Sequence, residues 1–339
     1  MSNKNINRRT FMKLAAGAGI AVAIPSFATP ACSENKLKRG TSTRLAMGTI
    51  VTVILLYKPG TDYDKIMDAA FNEIKRLSDI MNHYDEHSEI SRLNREGFLE
   101  NADPQLLGVI KSALKYNKLT KGAFDITIFP IIELYKKRFN ENKIPQEKEI
   151  KEVLKIVGSD KIEIKGRNIR LKKKGMKLTL AGLAKGYIVD MASKLLLNHG
   201  VKNHLINAGG DIKAVGLRED GNQWKIAIQD PAKKNNHLDV IELTDSSVAT
   251  SGNYENYYDP EKIFYHIADP KTGFSPALNS SASVIAPTTM EADALATALM
   301  VMAPDYGIPF INSLPGREAL IITREEKLIR SSGWKSISP

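Results

Sequence analysis

Residues 288–302, TTMEADALATALMVM, determine how the rest of the chain must be arranged. Thr288, followed three residues later by Glu291, forms the capping-box pattern that begins an α-helix. Apolar side chains then cover almost the whole circumference of the predicted helix at 3.6 residues per turn. A helix that is apolar nearly all round is buried, so we expect other elements to cover it.

Two polar side chains interrupt this apolar helix. Asp293 and Thr297 stand four residues apart, about 40° from each other around the axis, and no basic residue lies three or four positions from Asp293. One interpretation is structural: Asp293 favours the helix N-terminus electrostatically, while Thr297 bonds back to a backbone carbonyl. The alternative is a shared divalent cation, because Mg²⁺ prefers oxygen ligands and often takes only one or two from the protein.

The elements around this helix come in separate runs rather than in alternation. The predicted helices cover residues 63–81, 104–118, 146–157, 184–198, 289–302 and 305–312. The predicted strands are TIVTVILLY (49–57), KIEI, NIRL, HLINA, IKAVG, WKIAIQD, DVIEL, KIFYHIA, SASVIA and ALIIT. Separate runs of strands and helices predict an α+β fold and argue against β-α-β units.

Composition and linkers indicate one globular domain. The 339 residues are 42% hydrophobic and 25% charged, which is typical of a globular protein. No linker rich in glycine or proline divides residues 44–339, so we predict a single globular domain there, after a segment at 1–31 and a short linker at 32–43. The single cysteine excludes an internal disulfide, and no apolar run reaches the roughly 18 residues of a membrane span.

The N-terminal segment resembles a twin-arginine export signal. NRRTFMKL (7–14) precedes the short apolar run AAGAGIAVAI (15–24). Two endings remain open: Cys32 is the lipid-modified first residue of a mature lipoprotein, or the signal is cleaved after Ala28. Either ending predicts an exported protein on the periplasmic side of the inner membrane, with a lipid anchor in the first case.

The positive charge does not indicate a nucleic-acid partner. Residues 1–31 hold four basic and no acidic residues, so the formal charge falls from +10 to +6 without them. Part of the remainder lies in KKK (172–174), where no aromatic residues alternate with the lysines. A solvated hairpin explains this run better than a nucleic-acid groove.

Two glycine-containing segments have the composition of ligand-binding turns. TLAGLAKGYIVD (179–190) places two glycines and Lys185 at a helix start, which suits an anion such as phosphate, although close packing also explains the glycines. INAGGDI (206–212) ends a strand in paired glycines, which serve either a turn or a close backbone approach to a ligand.

Two further segments carry side chains with more than one interpretation. YHIADPKTGF (265–274) places His266 before an Asp-Pro turn, where the imidazole serves either packing or proton transfer. GAFDITIFP (122–130) places Phe124 next to Asp125. This pair would clamp a planar ligand, whereas core packing explains Phe124 equally well.

The order of these segments resembles one protein family. The motifs MGT (47–49), SEISRLN (88–94), GAFDIT, AGLAKGY, NAGGD, VATSGNY (248–254), HIADPKTG and ADALAT follow one another along residues 44–335. Together they resemble the ApbE family of FAD:protein FMN transferases. The resemblance implies an α+β catalytic domain with antiparallel or mixed sheets flanked by helices.

The resemblance also implies an activity. Family members transfer the FMN half of FAD to a threonine or serine hydroxyl of a target flavoprotein and release AMP, in a reaction that requires Mg²⁺. Family targets are subunits of membrane redox complexes, such as the Rnf and sodium-pumping quinone reductase types. The alternatives are an FAD pyrophosphatase, which passes the phosphoryl group to water, and a non-catalytic FAD-binding lipoprotein.

The family's functional positions map onto this sequence by motif. Asp293 and Thr297 match the side-chain metal ligands, and Gly182 matches the residue that supplies a backbone carbonyl; manganese or calcium would also suit such ligands. His266 matches the histidine that deprotonates the acceptor hydroxyl, with Asp293 as the second catalytic residue. The implied FAD contacts are Met47, Tyr84, Ala123, Phe124, Asp125, Lys185, Ile267 and Thr179, the last standing where many members have aspartate.

Overall fold

The computed structural model describes residues 37–232, 234, 237–254, 257–261 and 263–337. The predicted signal (1–31) and Cys32 lie outside the described residues. In the described part, no helix combines the length and the apolar composition needed to cross a lipid bilayer.

The central element is an eight-stranded sheet in which all neighbouring strands are antiparallel. Its order is β1-β2-β6-β7-β10-β11-β12-β13. These strands are β1 Lys38–Ala46, β2 Thr49–Tyr57, β6 Asn203–Ala208, β7 Asp211–Val215, β10 Ser246–Gly252, β11 Asn279–Ala286, β12 Glu318–Thr323 and β13 Leu328–Arg330. The predicted α+β class is confirmed, with antiparallel sheets and separate helices.

Two smaller antiparallel sheets accompany the central sheet. One has the order β3-β5-β4, from β3 Phe98–Leu99, β4 Ile162–Lys165 and β5 Asn168–Leu171. The other is a pair, β8 Trp224–Ile228 and β9 Asp239–Leu243.

The helices are α1 Tyr63–Met81, α2 Glu89–Glu96, α3 Pro104–Leu119, α4 Phe129–Asn140, α5 Glu147–Leu154, α6 Ala184–Asn198, α7 Thr289–Val301 and α8 Pro304–Asn312. The bounds predicted for α1 and α6 are confirmed. Each has an apolar stripe at helical spacing, and Asp62 accepts a hydrogen bond from the Lys65 N–H at the start of α1. The prediction missed α2 and α4.

Strand β1 begins within the region predicted as a linker. Residues 38–43 pair with β2, and the register continues to the turn formed by Met47 and Gly48. Both turn residues have positive φ, +53° and +72°, as a two-residue hairpin with a type I′ turn requires. β1 is an edge strand whose side chains are mostly exposed, so its sequence carries no clear apolar alternation.

The predicted strand KIFYHIA (262–268) is not a regular strand in the described residues, where a single bridge joins Tyr257 to Tyr265. Side chains satisfy its backbone instead. The carboxylate of Asp259 accepts hydrogen bonds from the N–H groups of Ile263 and Phe264, and the Ser275 hydroxyl accepts one from the Tyr265 N–H. These bonds replace the ladder that a neighbouring strand would provide.

The central sheet is covered on both faces. Val51 and Val53 of β2 pack with α1 and α6, whereas Ile54, the residue after Val53, packs with β8 and β9 on the opposite face. Helix α7 packs against β10 and β11 and is buried on almost every side, as predicted. The pairing of β8 with β9 therefore forms a layer on the opposite face from the helices.

Candidate active site

A cavity of about 1350 Å³ lies where the β1–β2 turn, the start of α6 and helix α7 converge. Segments that lie far apart in the chain line it. Every residue that the family motifs single out lies on its wall: Met47, Tyr84, Ala123, Phe124, Asp125, Thr179, Gly182, Lys185, His266, Ile267, Asp293 and Thr297. The structure thus brings together all the predicted site residues.

Asp293 is a buried carboxylate with 5% of its surface exposed. The Gly186 N–H, from the first turn of α6, donates a hydrogen bond to Asp293 Oδ2 at 3.3 Å. Burial raises the pKa of the Asp293 carboxyl well above its usual value, and the nearby Asp211 carboxylate raises it further. Lys185 and the Gly186 N–H act in the opposite direction. The site therefore disfavours the negative charge on Asp293 unless a further positive charge is present.

Asp211 is a second buried carboxylate beside Asp293, and the sequence motifs did not indicate a role for it. It is 1% exposed, and its Oδ2 lies 3.1 Å from Lys185 Nζ. Gly209 and Gly210, both with positive φ, turn β6 into β7 and place Asp211 at the first position of β7. The acid that follows the paired glycines was visible in the sequence, but its pairing with α6 was not.

The oxygen donors at α7 suit a hard divalent cation. A Cβ added to Gly182 would lie only 2.9 Å from Thr297 Oγ1. The Gly182 backbone therefore lies directly beside that hydroxyl. Ser251 Oγ, from β10, lies 3.2 Å from the same atom. Two buried carboxylates face one lysine, and the surplus negative charge is what a divalent cation would neutralise.

The predicted metal ligands do not form a cluster of charged side chains. Across residues 37–337, apart from the undescribed positions, no group of three or more His, Cys, Asp or Glu side chains is arranged to hold a metal ion. The candidate donors are instead a carboxylate, a hydroxyl and a backbone carbonyl. Such a mixed set matches Mg²⁺, which keeps much of its coordination for water and substrate oxygens.

Asp125 supports the loop that carries Phe124. Its carboxylate accepts hydrogen bonds from the Thr127 N–H and hydroxyl, from the Ser159 N–H and hydroxyl, and from the Asn117 amide. These bonds use the lone pairs of both oxygens. The carboxylate therefore holds the cavity wall in place and has little capacity left for a ligand.

Thr179 also has a local role in the cavity wall. Its N–H donates to the Ile126 carbonyl at 2.8 Å, and its hydroxyl accepts a hydrogen bond from the Ala181 N–H at 3.3 Å. The side chain thus shapes the turn that leads to Gly182. The hydroxyl lies on the cavity wall, where it keeps a proton to donate to a ligand.

Tyr84 presents an aromatic face at the rim of the cavity and is 75% exposed. The ring of His83 lies against it with centroids 4.1 Å apart, and His83 in turn meets Phe129 edge-on. Lys136 Nζ lies 5.0 Å from the centroid of the Tyr84 ring. Burial and the Lys136 charge lower the pKa of His83 to about 4, so the His83 ring is neutral at pH 7.

His266 and Ile267 also line the cavity, just after the irregular stretch held by Asp259 and Ser275. His266 is half-buried, and its neighbour Tyr265 is fully buried. The predicted strand at this place was wrong, and side-chain hydrogen bonds hold the backbone up to Tyr265, the residue before His266. The imidazole is thus held on the same cavity as Asp293.

The chain matches a known family over most of its length. The model of the ApbE family matches residues 47–321. The FAD:protein FMN transferase of Vibrio cholerae serotype O1 is 31% identical over 304 residues, which cover 86% of this chain and 90% of the relative. The FAD:protein FMN transferase of Haemophilus influenzae is 32% identical over 250 residues, covering 69% of this chain and 72% of the relative.

Solved structures show the same fold. The ApbE protein of Thermotoga maritima superposes with a TM-score of 0.80 at 30% identity, covering 87% of this chain and 97% of that protein. The flavin transferase ApbE from Vibrio cholerae superposes with a TM-score of 0.77 at 28% identity, covering 87% of this chain and 98% of that protein. The similarity therefore extends across both the described fold and the cavity.

Proposed function

This chain belongs to the ApbE family of transferases, and we propose that it is an FAD:protein FMN transferase. It moves the FMN half of FAD to a threonine or serine hydroxyl of an acceptor flavoprotein and releases AMP. The observation that carries this proposal is that one cavity is lined by the buried Asp293 together with the half-buried Thr297, Lys185 and His266. The similar proteins from Vibrio cholerae and Haemophilus influenzae are FAD:protein FMN transferases, which supports the proposal.

The reaction exchanges one phosphorus–oxygen bond for another. The acceptor hydroxyl oxygen bonds to the phosphorus of the FMN half, and the bond from that phosphorus to the bridging oxygen breaks, so AMP leaves with the bridging oxygen. His266 takes the proton of the acceptor hydroxyl. The Lys185 ammonium, held by Asp211, places a positive charge beside the diphosphate.

We also propose that the reaction requires Mg²⁺. The ligands from this chain would be the Asp293 carboxylate, the Thr297 hydroxyl and the backbone carbonyl of Gly182. When bound, the ion would neutralise negative charge on the diphosphate oxygens. The chain's own contribution is to keep the Asp293 carboxylate buried and aimed by the Gly186 N–H.

The location and the acceptor are part of the same proposal. The twin-arginine pattern at 7–24 supports export, and Cys32 supports a lipid anchor on the periplasmic side of the inner membrane. An exported enzyme of this kind would modify flavoprotein subunits of membrane redox complexes, of the Rnf or sodium-pumping quinone reductase type.

The test is a mass measurement of the products. The mature protein is incubated with FAD, Mg²⁺ and an acceptor domain that carries the candidate threonine. We expect a covalent FMN adduct on the domain and AMP in solution. FMN and AMP without an adduct would instead identify a pyrophosphatase, and unchanged FAD would identify a carrier.

Variants in the cavity assign the roles. Asp293→Ala should abolish transfer, because the buried site then lacks its carboxylate. His266→Ala should still bind FAD but slow the transfer by about 10²–10⁴-fold, the usual contribution of a general base. Glu291→Gln is a matched control on the same helix, since Glu291 pairs with Arg317 outside the cavity. Transfer by Asp293→Ala at the wild-type rate would contradict the site.

A further inference from the structure

Strand β8 borders the cavity with its edge. In the described part of the chain, β8 pairs with β9 alone. Four successive positions, residues 226–229, line the cavity. Residues 226–228 belong to β8, and successive side chains of a strand point to opposite faces, so all three border one space because the strand edge faces it. The side chains of Ile226 and Ile228 are occupied in the hydrophobic layer on the central sheet.

The backbone N–H and C=O groups of Ala227 lie on this edge of β8. Ala227 lies opposite Val240 in the register of the two strands. The Val240 carbonyl accepts a hydrogen bond from the Ile337 N–H at 2.8 Å, and the Val240 N–H donates to Asp239 Oδ1, so Val240 faces away from β8. In an antiparallel pair of strands, two residues that stand opposite each other without bonding across the pair both direct their backbone N–H and C=O groups outward. The Ala227 N–H and C=O therefore face away from β9.

The two outer edges of this hairpin differ. The C-terminal segment covers the β9 edge through Ile337 and through Trp334, whose indole N–H donates to Asp239 Oδ2 at 3.0 Å. On the β8 edge, no residue within the described ranges bonds the backbone N–H or C=O of Ala227. An uncovered edge is a template for a further strand. The uncovered edge is the one that lies on the cavity.

We propose that the β8 edge binds the acceptor flavoprotein as an added strand, whose backbone pairs with Ala227. The proposal rests on the proposed function, which requires a protein segment to enter this cavity. The same cavity is lined by His266, the proposed proton acceptor, and by Thr297, a proposed metal ligand, so a segment on β8 would enter the space in which the reaction takes place. Its volume of about 1350 Å³ also exceeds the roughly 300–1,000 Å³ of ordinary small-molecule sites.

Pairing through the backbone suits this kind of substrate. It recognises an extended segment by its N–H and C=O groups and leaves side-chain preference to the pockets beside it. Alternate side chains of the added strand would face opposite sides, so one hydroxyl is directed inward while its neighbours point out. Threonine, a β-branched residue, is also favoured in an extended segment.

The test removes the N–H of Ala227. Ala227→Pro lacks this donor, and proline is tolerated where an edge N–H faces outward. Ala227→Val is the matched control, because it keeps the N–H and favours a strand. We expect Ala227→Pro to raise the KM for the acceptor domain by about tenfold, the equivalent of one lost backbone hydrogen bond. FAD affinity, measured by flavin fluorescence, should stay unchanged in both variants.

An unchanged acceptor KM in Ala227→Pro, or an equal rise in Ala227→Val, would overturn the proposal. The wild-type enzyme separates this result from failure of the proposed function, because it must first form the FMN adduct. A second measurement does not depend on the folding of a variant. This measurement records hydrogen–deuterium exchange in residues 224–229 of the wild-type protein. The acceptor is present, with its threonine replaced by valine.

We expect the acceptor to slow exchange in this segment and FAD alone to leave it unchanged. The edge strand β13, which lies away from the cavity, is the internal reference. Protection of β13 in place of residues 224–229, or no protection of either, would overturn the proposal.

Discussion

Asp293 illustrates what a single residue requires of its surroundings. A carboxylate that is 5% exposed on an apolar helix needs compensation, and the structure provides the Gly186 N–H and the Lys185 ammonium. Asp211 partly cancels that compensation, because it pairs with the same lysine. The charge on Asp293 therefore depends on both Lys185 and Asp211.

Asp211→Asn tests whether Asp211 acts by positioning Lys185. The amide keeps the shape but not the charge, so the ammonium loses its anchor. We expect kcat to fall by about 10–100-fold, since small displacements of a positioned group cost that much. The FAD dissociation constant should be unchanged or lower, because a negative charge near the diphosphate is lost. Steady-state kinetics and flavin fluorescence measure the two quantities.

The double variant with Lys185→Met distinguishes positioning from a general structural effect. Asp211→Asn should have no further effect on kcat in the Lys185→Met background, because the group it positions is gone. Additive losses in the double variant would contradict the positioning role.

At the scale of elements, the contact between α6 and α7 builds the centre of the site. A Cβ on Gly186 would lie 2.8 Å from the Met290 Cα and closer still to the Thr289 carbonyl oxygen. Asp190, also on α6, accepts hydrogen bonds from the N–H groups of Thr289 and Met290, which caps the start of α7. These contacts set where Asp293 stands relative to Lys185.

Gly186→Ala should therefore separate the two helices. Both clashing groups are backbone, so they cannot rotate away, and we expect a loss of about 1–3 kcal/mol in the free energy of unfolding. Transfer activity should also fall, since the Gly186 N–H moves from Asp293. Urea unfolding measures the first effect.

Gly108→Ala is the matched control for this element. Gly108 lies in α3, and an added Cβ meets no atom within 4 Å. The exchange should raise the free energy of unfolding by about 0.5–1 kcal/mol, because alanine favours a helix. A destabilised Gly108→Ala or an unchanged Gly186→Ala would contradict the packing argument.

At the scale of the whole molecule, stability depends on groups that are buried between layers. His204 on β6 is fully buried against α6, where one ring nitrogen meets the Ser193 hydroxyl and the other the Val201 carbonyl. Burial lowers the pKa of His204 to about 4 from its usual 6.5. The folded protein thus keeps this ring neutral where the unfolded chain would protonate it.

The pH dependence of stability follows from this difference. As the pH falls through 6.5, the unfolded chain takes up a proton that folded His204 accepts only near pH 4. The stabilisation of the folded protein that comes from keeping His204 neutral is therefore complete above about pH 6.5 and is lost between pH 6.5 and 4. We expect the free energy of unfolding to decrease by about 3 kcal/mol over this range on account of His204.

Urea unfolding at a series of pH values measures this loss. His204→Gln is the control, because its amide can bond both neighbours without titrating. The difference between wild type and variant removes the contribution of the carboxyl groups. Parallel pH profiles for the two proteins would contradict the assignment.

Local patterns in the sequence determined much of this protein. The apolar stripes of α1 and α6 predicted the bounds of both helices, and the nearly uniform apolar surface of α7 predicted its burial with Asp293 and Thr297 on a shared face. The motifs also indicated the residues that line the cavity. All of these signals lie within a few turns of one element, where side-chain periodicity follows directly from backbone geometry.

Only the tertiary structure decided what depends on pairing between distant segments. The polar edge strand β1 exists because β2 pairs with it, and residues 263–265 leave the strand conformation because the side chains of Asp259 and Ser275 bond their backbone. The pairing of Asp211 with Lys185 and the uncovered edge of β8 are of the same kind. Each depends on which surfaces meet after the chain has packed, and the periodicity of side chains within one element does not encode that contact.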